Sequence, residues 1–134
     1  MNITVCAKQI PDPANDTSYD NGIIIRPEEQ VLDDTDRYGI EVALQLKEKF
    51  DAEVTIISMG PAGTMKGLQQ ALQMGADKAL YVDDDSLKGA NSLMTANVLS
   101  ELAKTTNADL SLIHISEPTR RYAISYAVCC LKKK

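Results

Sequence analysis

The residues best equipped for chemistry cluster at one end of this chain. Its single histidine, His114, stands within four residues of Ser116 and Glu117, and two of its three cysteines, Cys129 and Cys130, are adjacent. His, Ser and Glu are the parts of an acyl-transfer triad, and paired cysteines suggest redox work. The spacing argues against both. A triad gathers groups from separate elements, not from one short run. Adjacent cysteines close a strained ring rather than a cross-link. The remaining candidates are Cys6 and Lys8 in VCAKQIPDP, the acids of LDDTD, the glycine turn of SMGPAG, and the DDD run at Asp83–Asp85.

Each has a plain alternative. Main chain near Cys6 and Ala7 can approach a nucleotide with Lys8 near a phosphate, but the same residues read as a strand ending in a Pro-bounded loop. SMGPAG joins a strand to a helix, a junction whose free N–H groups can take an anion. It is neither a Walker loop nor G-x-G-x-x-G, so a simple turn suffices. LDDTD can line a cleft or merely cap a helix. DDD offers oxygens to a hard cation, though a solvated acidic loop explains it as well. Cys6 lies in an apolar strand, where cysteine is usually inert packing. Three unframed cysteines indicate neither a disulfide scaffold nor a zinc site.

The segment from Leu110 is unlike the rest. LSLIHISEPTR resembles the translation of a common transposase-based sequencing adapter. ISYAV, then CL and the closing lysines, resembles the matching flow-cell adapter, with Arg121, Tyr122 and Ala123 where a sample barcode falls. The usual readout has Phe at the position of Cys129. On this reading residues 110–134 are a non-native tail, and residues 1–109 are an incomplete nucleotide-binding domain. The tail carries Arg120, Arg121, Lys132, Lys133 and Lys134 against Glu117, while the whole chain is −5. Residues 1–109 therefore carry −9 and make a poor nucleic-acid surface, which needs clustered Lys and Arg. Without the tail there is no histidine, no triad and no metal cluster. Acid–base or nucleophilic catalysis is not expected, and binding a ligand or cofactor fits what remains.

The elements that must hold these residues follow from patterning. NITVCAK (2–8) alternates and is β-branched, so it predicts a strand. Residues 9–22 predict a long loop, and GIII a short extra strand stopped by Pro27. Asp33–Phe50 predicts a helix with Asp33, Asp34 and Asp36 at its positive start. Its two apolar rows, Tyr38–Val42–Leu46–Phe50 and Ile40–Ala43–Leu44, predict cover on two sides. Ala52–Gly60 predicts a buried strand, 64–74 a helix capped by Gly75, and Ala79–Val82 a third strand. Asn91–Lys104 predicts a third helix, and a fourth strand begins near Ala108. The order βαβαβαβ implies an α/β fold, a Rossmann-like parallel sheet with helices on both faces. Ligands of such sheets bind beyond the carboxyl ends of the strands, where strand order switches. At 134 residues and 44% apolar composition, one soluble domain is expected. No apolar run is long enough for a membrane span, and no basic-then-apolar leader opens the chain, so a cytoplasmic location is expected.

VCAKQIPD, DRYGIEVALQLKEK, EVTIISMGP and LQQALQMGADKALYV together resemble, in order and spacing, the β subunit of electron-transfer flavoproteins, the FixA-like family. The resemblance covers residues 1–109. It implies a Rossmann-like fold and a heterodimer with an α subunit that carries FAD. It also implies AMP, or a second FAD, in this subunit, and electrons taken from dehydrogenases without substrate chemistry of its own. The family's nucleotide contacts fall on Cys6 at the end of the first strand, on Asp33, Asp34, Thr35 and Asp36 at the start of the first helix, and on Met59 before Gly-Pro. Many members carry Asn at the position of Asp33. The family's phosphate-wrapping loop begins at the position of His114. The alternative is a stand-alone adenine-nucleotide sensor of universal-stress type, which shares the fold but carries a Gly-rich loop after the fourth strand. A receiver-like module expects an acidic pair where VCAK stands.

Overall fold

The computed structural model describes residues 1–16, 18–25, 27, 30–61 and 65–113, the side chain of residue 23 excepted. The chain runs β1 (Asn2–Cys6), β2 (Gln9–Pro11), β3 (Tyr19–Asp20), β4 (Ile23–Ile24), β5 (Gln30–Leu32), α1 (Asp34–Phe50), β6 (Glu53–Met59), α2 (Lys66–Met74), β7 (Lys78–Val82), a 3-10 turn (Asp85–Leu87), α3 (Ser92–Thr105) and β8 (Leu110–Leu112). His114, Ser116, Glu117, Cys129 and Cys130 lie outside the described residues.

Four strands form one parallel sheet in the order β7-β6-β1-β8. The first two crossovers step one way and the third returns past β6 and β1 to the far side. Order therefore switches between β1 and β8. Strand alternation shows which helix covers which face. Ile3, Val5, Val54 and Ile56 share a core with Ile40 and Ala43 of α1 and Leu68 and Ala71 of α2. Thr4 points the other way, and its Oγ1 lies 2.7 Å from Oγ1 of Thr106, just past α3. So α1 and α2 cover one face and α3 the other, as right-handed crossovers require.

The predicted 9–22 loop is partly ordered into strand. Gln9–Pro11 pairs antiparallel with Gln30–Leu32, and Tyr19–Asp20 with Ile23–Ile24 through a turn in which Asn21 and Gly22 both have positive φ. That Asn-Gly turn suits the twist of a tight hairpin. The β2–β5 ribbon rests on α2. Its contact is close: a Cβ on Gly67 would lie 2.9 Å from the Leu32 amide and 2.9 Å from Oε1 of Gln9.

Helix α1 is covered on one side only, against expectation. Ile40 and Ala43 are fully buried, whereas Tyr38 is 67% and Phe50 60% exposed. A sheet face touches one stripe of a helix, and rows spaced by three and by four diverge around the cylinder. Asp33 is the N-cap, not the first helical residue; its carboxylate accepts the Thr35 N–H. On α3, Ala103 is buried while Leu93 and Met94 are exposed.

Candidate functional site

In open parallel sheets ligands bind where strand order switches, which here is the edge beyond Cys6 and Leu112, so the residues after β1 come first. Lys8 is held there through its main chain. Its N–H donates to Oδ2 of Asp36 at 2.6 Å, and its C=O accepts the Asp33 N–H at 3.0 Å. Its ammonium lies 3.3 Å from Oδ2 of Asp33. The end of β1 and the start of α1 are thus laced together across the excursion that contains the ribbon.

The predicted acids separate into distinct roles. Asp36 is 2% exposed and turns back to β1, so it does not serve the free amides of its own helix. Asp33 accepts the Thr35 N–H at 3.0 Å and the Thr35 hydroxyl at 2.8 Å, both on Oδ1. Partial burial pushes the Asp33 carboxyl up, but the bonds from Thr35 and the nearby Lys8 ammonium outweigh it and hold it below the usual carboxylate value. Asp34 and Thr35 are exposed, and Asp34 pairs with Arg37 at 3.2 Å.

Cys6 and Met59 are the last residues of β1 and β6, and both are half-buried. In register Cys6 faces Ile57, so Cys6 and Met59 point to the same face, that of α3. At the strand ends the α3 face thus carries two soft, partly apolar side chains, and the Lys8–Asp33 pair stands at the start of α1. This set suits a ligand with a flat apolar part and an anionic part. Asp34 and Asp36 do not join it: one faces solvent with Arg37, and the other is buried.

The other candidate anion site, the glycine turn after β6, is described only on either side of residues 62–64. The Gly67 N–H, in the first turn of α2, donates to Oε1 of Gln9 at 3.0 Å in a buried contact. From β7, the Tyr81 phenol donates to the Pro61 C=O at 2.7 Å. A Cβ at Gly60 would lie 2.6 Å from that phenol oxygen, so the small residue makes room for the latch. Neither Gln9 nor Tyr81 stood out in the sequence, because each acts through a partner far along the chain. At Asp83–Asp85, Asp84 caps the 3-10 turn and Asp85 pairs with Lys88. Among the described residues no group of three or more His, Cys, Asp or Glu is placed to hold a metal. A shallow cleft of about 310 Å³ lies at the opposite, amino-terminal strand edge, beside Glu53, Thr55 and Lys78, and holds none of the predicted site residues.

Residues 21–129 match the family described as "Electron transfer flavoprotein domain". The chain belongs to the electron transfer flavoprotein family. Its relatives within that family include β subunits and FixA proteins. It is 38% identical over 113 residues to "Electron transfer flavoprotein subunit beta" of Clostridium acetobutylicum, covering 82% of this chain and 43% of the relative. It is 33% identical over 112 residues to "Protein FixA" of Azotobacter vinelandii, covering 82% of this chain and 40% of that protein. The Mycobacterium bovis "Electron transfer flavoprotein subunit beta" is 31% identical over 126 residues, covering 88% and 47%. The chain thus spans less than half the length of these flavoprotein relatives. Among its described residues no helix is long and apolar enough to cross a membrane.

Proposed function

We propose that this chain is the nucleotide-binding part of an electron-transfer flavoprotein β subunit that works in the cytoplasm. It holds AMP, or a second FAD, at the carboxyl edge beside β1. It pairs with an α subunit that carries FAD, and the heterodimer takes electrons from dehydrogenases. The observation that carries this reading is the carboxyl end of β1 and β6 in a parallel sheet, with Cys6, Met59 and Lys8 at that edge in a member of the family.

The residues fit an adenine nucleotide in two respects. Cys6 and Met59 give a partly apolar shelf for a ring, and Lys8 gives a cation in a chain that is otherwise acidic. Bound FAD supplies the redox chemistry. The protein's own part is to bind, orient and shield. Asp33 and Asp36 fix the main chain on which the nucleotide rests.

Residues 1–109 form the native nucleotide-binding unit in this reading, and residues 110–134 are the tail described above. Genomic DNA downstream of codon 109 tests that division. Continuation into a glycine-containing loop supports it, and a native stop codon after LKKK overturns it. For function, the full-length gene co-expressed with its neighbouring α-subunit gene is expected to give a yellow heterodimer. A colourless monomer would sink the proposal.

A further inference from the structure

Asn21 and Gly22 make the two-residue turn between β3 and β4, and both have positive φ, 49° and 79°. The turn is exposed, as are Ser18, Tyr19, Asp20 and Ile25 around it. Of the described side chains in 18–25, only that of Ile24 is half-buried. The hairpin itself is slight. It is held by the pairs Tyr19–Ile24 and Asp20–Ile23, and by the Ile25 N–H donating to the Ser18 C=O at 2.9 Å. A ribbon this short, with little packing against a larger body, is marginal in water. It opens at low cost while the sheet stays closed.

Such a turn exposes the main chain to its own side chain. When the N–H after an asparagine loses its proton, the nitrogen can attack the asparagine Cγ and close a cyclic imide. A side chain on the following residue crowds that nitrogen, and glycine has none. A Cβ at Gly22 would meet nothing within 4 Å, so no neighbour shields the approach either. The chain has asparagine at positions 2, 15, 21, 91, 97 and 107, and only Asn21 precedes glycine. Several of the others are also engaged. Nδ2 of Asn2 donates to the Asn107 C=O, and Oδ1 of Asn91 accepts the Met94 N–H. Asn97 lies within α3, where the helix bonds the main-chain N–H groups.

We propose that Asn21 is a site of spontaneous covalent modification, and that its conversion to isoaspartate unmakes the β3–β4 hairpin. Solvent base takes the Gly22 amide proton. A bond forms from that nitrogen to Cγ of Asn21, the Cγ–Nδ2 bond breaks, and ammonia leaves. Water then opens the imide at either carbonyl, giving aspartate or isoaspartate, with nothing oxidised or reduced. The attack requires Asn21 to leave its left-handed turn, so the reaction runs through the open hairpin. Either product adds one negative charge to a chain of net −5. Isoaspartate also threads an extra carbon into the main chain. A two-residue turn has no slack for it, so the Tyr19–Ile24 and Asp20–Ile23 pairs are lost. The change runs one way, and the hairpin therefore records the age of the molecule.

The test holds the full 134-residue chain at mildly alkaline pH beside its Asn21→Gly and Asn21→Asp variants. Samples are read by isoelectric focusing, peptide mass mapping and an isoaspartate assay. Glycine at position 21 keeps the positive φ that the turn needs. Asn21→Asp carries the new charge without the extra carbon. The parent is expected to gain one negative charge, mapped to residue 21, before any other asparagine converts, with isoaspartate among the products. Asn21→Gly should show no early charge shift. Amide hydrogen exchange in 19–24 should rise to the rate of a free chain in the isoaspartate form and remain slower in Asn21→Asp. A parent that keeps Asn21 intact overturns the proposal, as does first conversion at another asparagine or an equal shift in Asn21→Gly. An isoaspartate form whose exchange is as slow as the parent's overturns the loss of the hairpin.

Discussion

Two glycines sit inside helices here, and alanine should change stability in opposite directions at them. Gly→Ala in a helix interior ordinarily gains about 0.5–1 kcal/mol. At Gly39 of α1 a new Cβ meets only Cγ1 of Val5 at 3.7 Å, an ordinary contact. Gly39→Ala should therefore keep that gain. At Gly67 of α2 the Cβ falls 2.9 Å from the Leu32 amide nitrogen and 2.9 Å from both Cγ and Oε1 of Gln9. The Gln9 side chain can swing aside, but the Leu32 main chain belongs to the ribbon and cannot. Overpacking of this kind costs about 1–3 kcal/mol. Displacing Gln9 also loses its buried bond to the Gly67 N–H, about 1 kcal/mol. Less the helix gain of about 1 kcal/mol, Gly67→Ala should lose about 2 kcal/mol. Urea unfolding at unchanged m would read this as a fall in midpoint of about 1 M, with Gly39→Ala moving slightly upward. A Gly67→Ala protein as stable as the parent, or more so, would refute the ribbon's seating on α2.

The Tyr81 latch predicts a coupled pair. Gly60→Ala should destabilise, and Tyr81→Phe should cost about 0.5–1.5 kcal/mol for its bond to Pro61. Adding Tyr81→Phe to Gly60→Ala should cost less than it does alone, because the clashing oxygen is gone; additivity in a double-mutant cycle would count against the latch. At the other end of the sheet, the Lys47 ammonium and the Val54 N–H hold the Asp77 carboxyl below its ordinary value of 3.8. A lowered folded value means that the unfolded chain binds the proton first. The stabilisation is complete above the ordinary value and is lost as pH falls through the depressed one. Asp77→Asn should therefore flatten that acid limb of a stability–pH curve while leaving the shape near neutrality unchanged. Ser58 is 1% exposed, and its hydroxyl has no hydrogen-bond partner among the described residues. Ser58→Ala should be neutral or stabilising by up to about 1 kcal/mol in thermal unfolding, and a clear loss would reveal a partner for that hydroxyl.

Patterning reached the sheet well, because strands such as Asn2–Cys6 and Glu53–Met59 announce themselves over five to seven residues. Helix limits fell within one or two residues for the same reason, since Asp33 and Gly75 are local caps. The ribbon was hidden. QIP and QVL are three residues each, and they meet across a stretch rich in Pro and Asp that reads as loop. The division of labour at the first acidic cluster was hidden too. Asp36 differs from Asp34 only in its angle around α1, and that angle matters only once β1 lies beside the helix. The two apolar rows of α1 looked equivalent until the sheet chose one. Four segments in series were legible as a family, because order and spacing add information that no single segment holds.

The two faces of the sheet also have different birthdays. The fully buried residues of the cluster beneath α1 and α2 all lie before Val82, and Leu110 and Leu112 of β8 later add to its edge. Each of the crossovers there is a local βαβ step, so this face can close while the rest is still being made. Helix α3 and β8 finish at Leu112. At roughly 5–20 residues per second on the ribosome, they follow about 2–6 s later. In that interval the second face is bare, and it presents Thr4, Cys6, Thr55, Ile57 and Met59 to water. Two threonines interrupt what would otherwise be an apolar surface, a composition suited to waiting without sticking. Among the described strands β8 joins β1 last, so the edge between them forms only after the opposite face has begun to close.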